Sequence, residues 1–132
     1  MSILESTKQF FTELGVQFAA DIIQGYVLHM LEDFTAEDCY RAITDDIDLW
    51  AVIPDKEKDY LHFSLVRRFK PHILKYADRI TPEMVLTWLR KKRPDFASVI
   101  ENYPDSKGYL WLERQVRNVI IGVHTTLTSP HS

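Results

Sequence analysis

Apolar side chains recur along this chain at helical spacing, and no stretch keeps the period-2 alternation of a half-buried strand. Ile3, Thr7, Phe10, Phe11 and Leu14 share one side of a first amphipathic segment, with Glu5, Lys8, Gln9 and Glu13 largely on the other. Gly15 predicts an end or a kink there, because glycine weakens a helix by roughly 1 kcal/mol relative to alanine; its small size also lets a neighbour approach closely. From Val16 the apolar positions spread round most of the helix: Phe18, Ala19, Ala20, Ile22, Ile23, Tyr26, Val27, Leu28, Met30 and Leu31 leave little polar surface. Such a helix belongs either at the centre of a fold or in a seam with a second copy. The central position is the expectation here.

Polar breaks divide the rest. Thr35 is placed to cap a helix carrying Cys39, Tyr40, Ala42 and Ile43, with Glu37 and Asp38 in its first turn. Thr44 offers another start, leading into Leu49, Trp50, Val52 and Ile53. The charged residues 54–59 open a further helix through Tyr60, Leu61, Phe63, Leu65, Val66 and Phe69, which Pro71 ends or kinks because the residue before proline avoids the α region. A short helix is expected over residues 72–77. Thr81, followed by Pro82 and Glu83, is a strong helix start; Met84, Val85, Trp88 and Leu89 form the apolar patch of that helix, and Pro94 stops it. A helix over residues 94–101, a loop over 102–108 and a last helix over about 109–123 complete the chain. The predicted fold is all-α, an irregular bundle of six to eight helices, several short, around a central apolar helix. Residues 1–124 are expected to form one domain and residues 125–132 a flexible polar tail.

Composition fits one core: 132 residues, 45% hydrophobic. Charge changes the picture more. The net charge of −3 argues against a protein that coats DNA, yet it conceals an asymmetry. Residues 1–59 carry 4 Lys and Arg against 13 Asp and Glu, a net of −9, whereas residues 60–132 carry 12 against 6, a net of +6. The two halves can attract each other, face two partners, or pair head to tail between chains. The single cysteine, Cys39, excludes an intrachain disulfide and a Cys-rich zinc site. With no basic and apolar leader at residues 1–5 and no clean apolar run of membrane-spanning length, a cytoplasmic protein without a membrane segment is expected.

Candidate chemistry is sparse. Cys39 has Glu37 and Asp38 beside it, the opposite of the electropositive setting that activates a thiol. His29 with Glu32, and Asp59 with His62, are three apart, but no pair of Glu-x-x-His motifs accompanies them. Asp46, Asp48 and Glu57 fit positions 1, 3 and 12 of a calcium loop, while Trp50 and Ala51 stand where a ligand and the turn glycine belong. Ser64 and His62, two apart, face different ways on a helix, and no phosphate-cradling glycine loop or nucleophile elbow is present. No catalytic, metal or cofactor-binding set is expected, and the enzyme question is left leaning towards no. What stands out is the basic material: Arg67, Arg68 and Lys70, then Arg90, Lys91, Lys92 and Arg93. These are the candidate partner-binding residues. The favoured role is interaction with a protein, including self-association; the alternative is nucleic-acid binding through phosphate contacts from residues 67–93. Against the second, the helix after Pro94 has no Arg or Lys to serve as a recognition helix.

Overall fold

In the computed structural model, which describes residues 3–50 and 67–128, the first helix runs unbroken from Ile3 to Met30 (α1). It passes through Gly15, so the expected helix end there is not found. The glycine serves close approach instead: a Cβ at that position would lie 2.7 Å from the Tyr76 ring and 2.8 Å from that of His72. Further along, Ala19, Ile23, Tyr26 and Val27 are fully buried within the one chain, which gives α1 its central position. A 3-10 turn, Leu31–Asp33, ends it.

The second helix, Ala36–Asp45 (α2), begins at a reciprocal cap. The Thr35 hydroxyl accepts from the Asp38 N–H at 3.2 Å, and the Asp38 carboxylate accepts from the Thr35 N–H at 2.8 Å. The expected new start at Thr44 is not found. Thr44 lies inside α2 with its hydroxyl on the Tyr40 carbonyl at 2.9 Å, and Asp46, at φ 59°, closes the helix in the left-handed conformation that short polar side chains tolerate. The expected helix over residues 54–69 lies largely outside the described residues, as do the Asp59–His62 pair and Ser64. At its far end the expected break is present: Phe69 is a turn, and α3, Lys70–Tyr76, follows with Pro71 in its first turn.

A 3-10 turn, Ala77–Arg79, leads to α4, Pro82–Lys92, where the Thr81 hydroxyl accepts from the Met84 N–H at 3.2 Å. Arg93 alone separates α4 from α5, Pro94–Asn102. The expected loop contracts to a 3-10 turn, Pro104–Ser106, before α6, Lys107–Thr128. Gly108 lets that turn pack: a Cβ there would overlap the Ile100 carbonyl. The helix also outruns its expected end. Thr126 and Leu127 are buried, so burial of an apolar side chain extends α6 into the polar stretch expected to fray from residue 125. Among the described residues there are six α-helices with bounds as given, Arg67 and Arg68 are helical besides, and there is no strand.

Contacts fix the layout. Phe18 of α1 meets Phe69 with ring centroids 4.9 Å apart, whereas Leu31, just past the end of α1, lies against Arg93. α4 therefore travels along α1 from the α3 end towards the α2 end. α6 returns: its first residue, Lys107, donates to the Thr44 carbonyl at 3.0 Å, and His124 near its end lies 3.0 Å from the Asp78 carboxylate. Ile23, Tyr26, Ile43, Ile73, Leu89, Phe96, Leu112 and Val119 join in one core between these elements.

Candidate partner-binding surface

Helix α4 ends in four basic residues because cations suit the negative end of the helix dipole. The structure does not use them alike. Arg93 turns inward, with a side chain only 23% exposed. Its Nη1 donates to the Leu31 carbonyl at 2.7 Å and its Nη2 to the Phe34 carbonyl at 2.8 Å, satisfying backbone acceptors left over where α1 stops. The same guanidinium lies 4.3 Å from the Phe96 ring centroid and pairs with Asp95, whose carboxyl it holds below the ordinary aspartate range. A planar fork can do all of this at once. Arg93, expected on the surface as a partner contact, thus fastens α1 to the start of α5.

Arg90 pairs with Glu101 across the α4–α5 joint. Lys91 and Lys92 are exposed and have no ionic partner among the described residues. The helix after them keeps the disposition its sequence predicts: Phe96, Ala97 and Ile100 of α5 are buried, and Asp95, Ser98, Glu101 and Asn102 face out. That surface offers no cation to a nucleic acid.

The earlier basic run is different. Arg67 and Arg68 are exposed, Lys70 is half-buried, and none of the three has an ionic partner among the described residues. Lys75 in α3 and Arg79 in the 3-10 turn after it are also exposed; Lys75 lies 5.3 Å from the centroid of the Tyr76 ring. Amid these cations Phe69 remains 38% exposed although its ring meets Phe18 edge-on. The two basic clusters do not form one patch. Phe18 marks the level of the first along α1 and Leu31 the level of the second, which at 1.5 Å per residue puts them about 20 Å apart.

Acidic residues gather at the α2 end, and one group of them is fastened to α6. Gln115 is fully buried; its Oε1 accepts from the N–H groups of Leu49 (2.9 Å) and Trp50 (3.2 Å), and its Nε2 donates to Asp48 at 2.8 Å. Trp111, one helical turn earlier, donates from Nε1 to the Ile47 carbonyl at 2.8 Å, and Arg114 pairs with both Asp46 and Asp48. Hydrogen bonds from Gln115 and then Arg114 hold the Asp48 carboxyl below its ordinary range. Here the acidic and basic halves of the chain do attract each other within the molecule. The calcium-loop spacing is accordingly put to another use: its first two carboxylates bind a guanidinium.

Sequence reasoning passed over Gln115, although a signal existed. It stands three residues after Leu112 and four before Val119, a polar side chain inside the apolar stripe of α6, which implies a buried partner. Cys39 is buried, and burial, with a contribution from nearby Asp95, pushes its thiol up to about 12, so it is no nucleophile at neutral pH. His29 lies 3.6 Å from Glu32, and no group of three metal-ligating side chains converges among the described residues. Among those residues no helix is long and apolar enough to cross a membrane.

The fold and surface together define an all-α domain whose acidic segment is largely paired with cations at the α2 end, while the basic residues 67–79 stay exposed. Comparison of the chain with protein-family models, curated proteins and solved structures found no match.

Proposed function

We propose that this chain is a small helical interaction protein that receives an acidic protein surface on its basic element, residues 67–79. One observation carries the reading: Arg67, Arg68 and Arg79 are exposed without an ionic partner among the described residues, while Arg93 and Arg114 are engaged inside the domain. Cations around a partly exposed aromatic ring, Phe69, match the anatomy of a protein interface, where an apolar centre is rimmed by polar groups. Arginine suits this role because its planar guanidinium takes carboxylates bidentately and is weakly hydrated. Lys91 and Lys92 form a second, smaller basic site about 20 Å away along α1.

Nucleic-acid binding remains the alternative that the experiment must separate. A strand would meet two separate patches rather than one stripe, and the acidic residues at the α2 end oppose a polyanion approaching there. The test is fluorescence anisotropy with a labelled Asp/Glu-rich peptide and, in parallel, generic duplex and single-stranded DNA. Peptide binding at about 0.05 M salt that weakens towards about 1 M and disappears in the Arg67→Glu/Arg68→Glu variant is the expected result. DNA binding with a steep salt dependence and no peptide binding would replace this reading with the alternative.

A further inference from the structure

Charge at the α2 end is largely settled within the molecule, and what stands out there is apolar surface. We propose that the joint between α2 and the start of α6 is a second docking surface, separate from the basic element, and that its occupant is a second copy of this chain in a two-fold pair.

Among the described residues five large apolar side chains are exposed, and three of them, Tyr40 at 53%, Ile47 at 51% and Leu110 at 61%, lie together. Local structure brings them there. Tyr40 and Thr44 are four apart on the outer side of α2, and the left-handed Asp46 turns the chain so that the Ile47 N–H donates to the Ala42 carbonyl at 2.8 Å. Across from them Lys107 donates to the Thr44 carbonyl at 3.0 Å, and Arg114 pairs with Asp46 and Asp48. Leu110 stands on the α6 surface three residues after Lys107 and four before Arg114, so it lies beside residues 44–48. Tyr103 adds a half-buried ring, 5.3 Å from that of Tyr40, with its hydroxyl 2.6 Å from the Thr44 hydroxyl. Scattered exposed apolar residues are ordinary; a contiguous group rimmed by polar ones marks a contact surface.

Charge selects the occupant. Glu37 pairs with Arg41, and Asp46 and Asp48 share Arg114. What remains without an ionic partner among the described residues is balanced: Asp45 and Asp105 against Lys107 and Arg117. A face so balanced does not repel its own copy, whereas the basic element would. The balance also has direction. Asp45 is on the α2 side, and the two cations are on the α6 side. A two-fold axis along the groove lays α2 of each chain over α6 of the other, and because Lys107 is level with Thr44, Asp45 comes opposite Lys107 of the partner subunit, twice in the pair. The apolar residues then meet across the axis and leave water. The contact is isologous and closes at two.

Sedimentation or light scattering across a concentration series tests this at about 1 M salt, where charge attraction is screened and apolar burial is not. The weight-average mass is expected to climb from 15.5 kDa towards twice that value between about 5 and about 500 μM chain. Leu110→Asp places two carboxylates in the apolar contact and should move the midpoint at least about tenfold higher in concentration. Ile121→Asp is the control: its residue is as exposed, at 62%, on the same helix but eleven positions and about 16 Å further on, and the midpoint should stay where it was. Matching far-UV circular dichroism shows that both variants are folded. A wild-type chain that stays monomeric through the series overturns the proposal, as does a mass that grows past two chains, a Leu110→Asp chain that pairs like the wild type, or an Ile121→Asp chain that loses pairing equally. The basic element is tested apart from this. Arg67→Glu/Arg68→Glu should pair as the wild type does, and Leu110→Asp should bind the acidic peptide as the wild type does; a pair lost in the first variant would overturn the separation of the two surfaces.

Discussion

At the α2 end Arg93 bonds two backbone carbonyls and lies over Phe96, whereas at the α3 end Arg67 and Arg68, in another basic run that also precedes a proline, remain exposed. The runs look alike in sequence: Arg-Arg-Phe-Lys-Pro and Arg-Lys-Lys-Arg-Pro. Their settings differ. Arg93 meets the place where α1 stops, so carbonyls without helical partners are within its reach. Arg67 and Arg68 are themselves helical, next to the turn at Phe69, and no side-chain hydrogen bond or ion pair engages either of them among the described residues. A basic run before a proline is therefore consumed where the carboxyl end of another helix lies within its reach, as the end of α1 lies within reach of Arg93.

The largest effect that would break this contrast is expected at the clamp between α6 and residues 47–50. Gln115→Leu removes the acceptor of two backbone N–H groups in a buried place and should lower stability by about 3 kcal/mol, read as a shift of the urea midpoint. An unshifted midpoint would mean that the α2 end is not held by this side chain. Arg93→Ala should follow at about 2 kcal/mol, from two carbonyls left unpaired and a lost cation–π contact. Arg93→Lys should recover less than half, because an ammonium cannot reach both carbonyls and stack on Phe96 in one geometry. Full recovery by lysine would show that charge alone suffices.

These expectations also mark how far the sequence could be read. Helix positions were legible where a local rule sufficed: Thr35 and Thr81 cap as their hydroxyls require, and the spread of apolar positions after Val16 puts α1 at the centre. Gly15 was not legible, because its role depends on His72 and Tyr76, more than fifty positions away in the chain. Thr44 read as a start because it precedes two aspartates; the deciding facts are the left-handed Asp46 and the distant Trp111, Arg114 and Gln115 that bind the segment after it. The basic surface was legible as composition only. That Arg93 is spent depends on the carbonyls that the end of α1 brings opposite it, more than fifty positions away in the chain.

Acid should act on the α2 end next. Asp48 is held below the ordinary carboxyl value of 3.8 by hydrogen bonds from Gln115 and then Arg114, and Asp95 by Arg93. In both cases the folded chain gives up the proton more readily than the unfolded one. Their stabilisation is fully present above the unfolded value and is lost as pH falls through about 4 towards the lower folded value. The urea midpoint should therefore fall with acid in that window, and Asp48→Asn should flatten the dependence. A midpoint as steep in Asp48→Asn as in the wild type would assign the acid sensitivity elsewhere.

The smallest effect is expected at the α3 end, and its sign is informative. Arg67, Arg68 and Lys70 crowd like charge onto one short stretch, and among the described residues no carboxylate relieves it. Like charges close together on a helix destabilise by about 0.2–0.5 kcal/mol, and surface substitutions generally stay within about 0.5 kcal/mol. Arg68→Ala should therefore raise the urea midpoint slightly at low salt, and the gain should vanish at about 1 M salt, where the screening length falls to about 3 Å. The same substitution should weaken binding of the acidic peptide. A loss of stability would instead place Arg68 with Arg93, as a residue that holds the fold. A gain in stability joined to a loss of binding would mean that the chain keeps this charge against its own folding interest, which is how a surface kept for a partner differs from one that merely keeps a protein in solution.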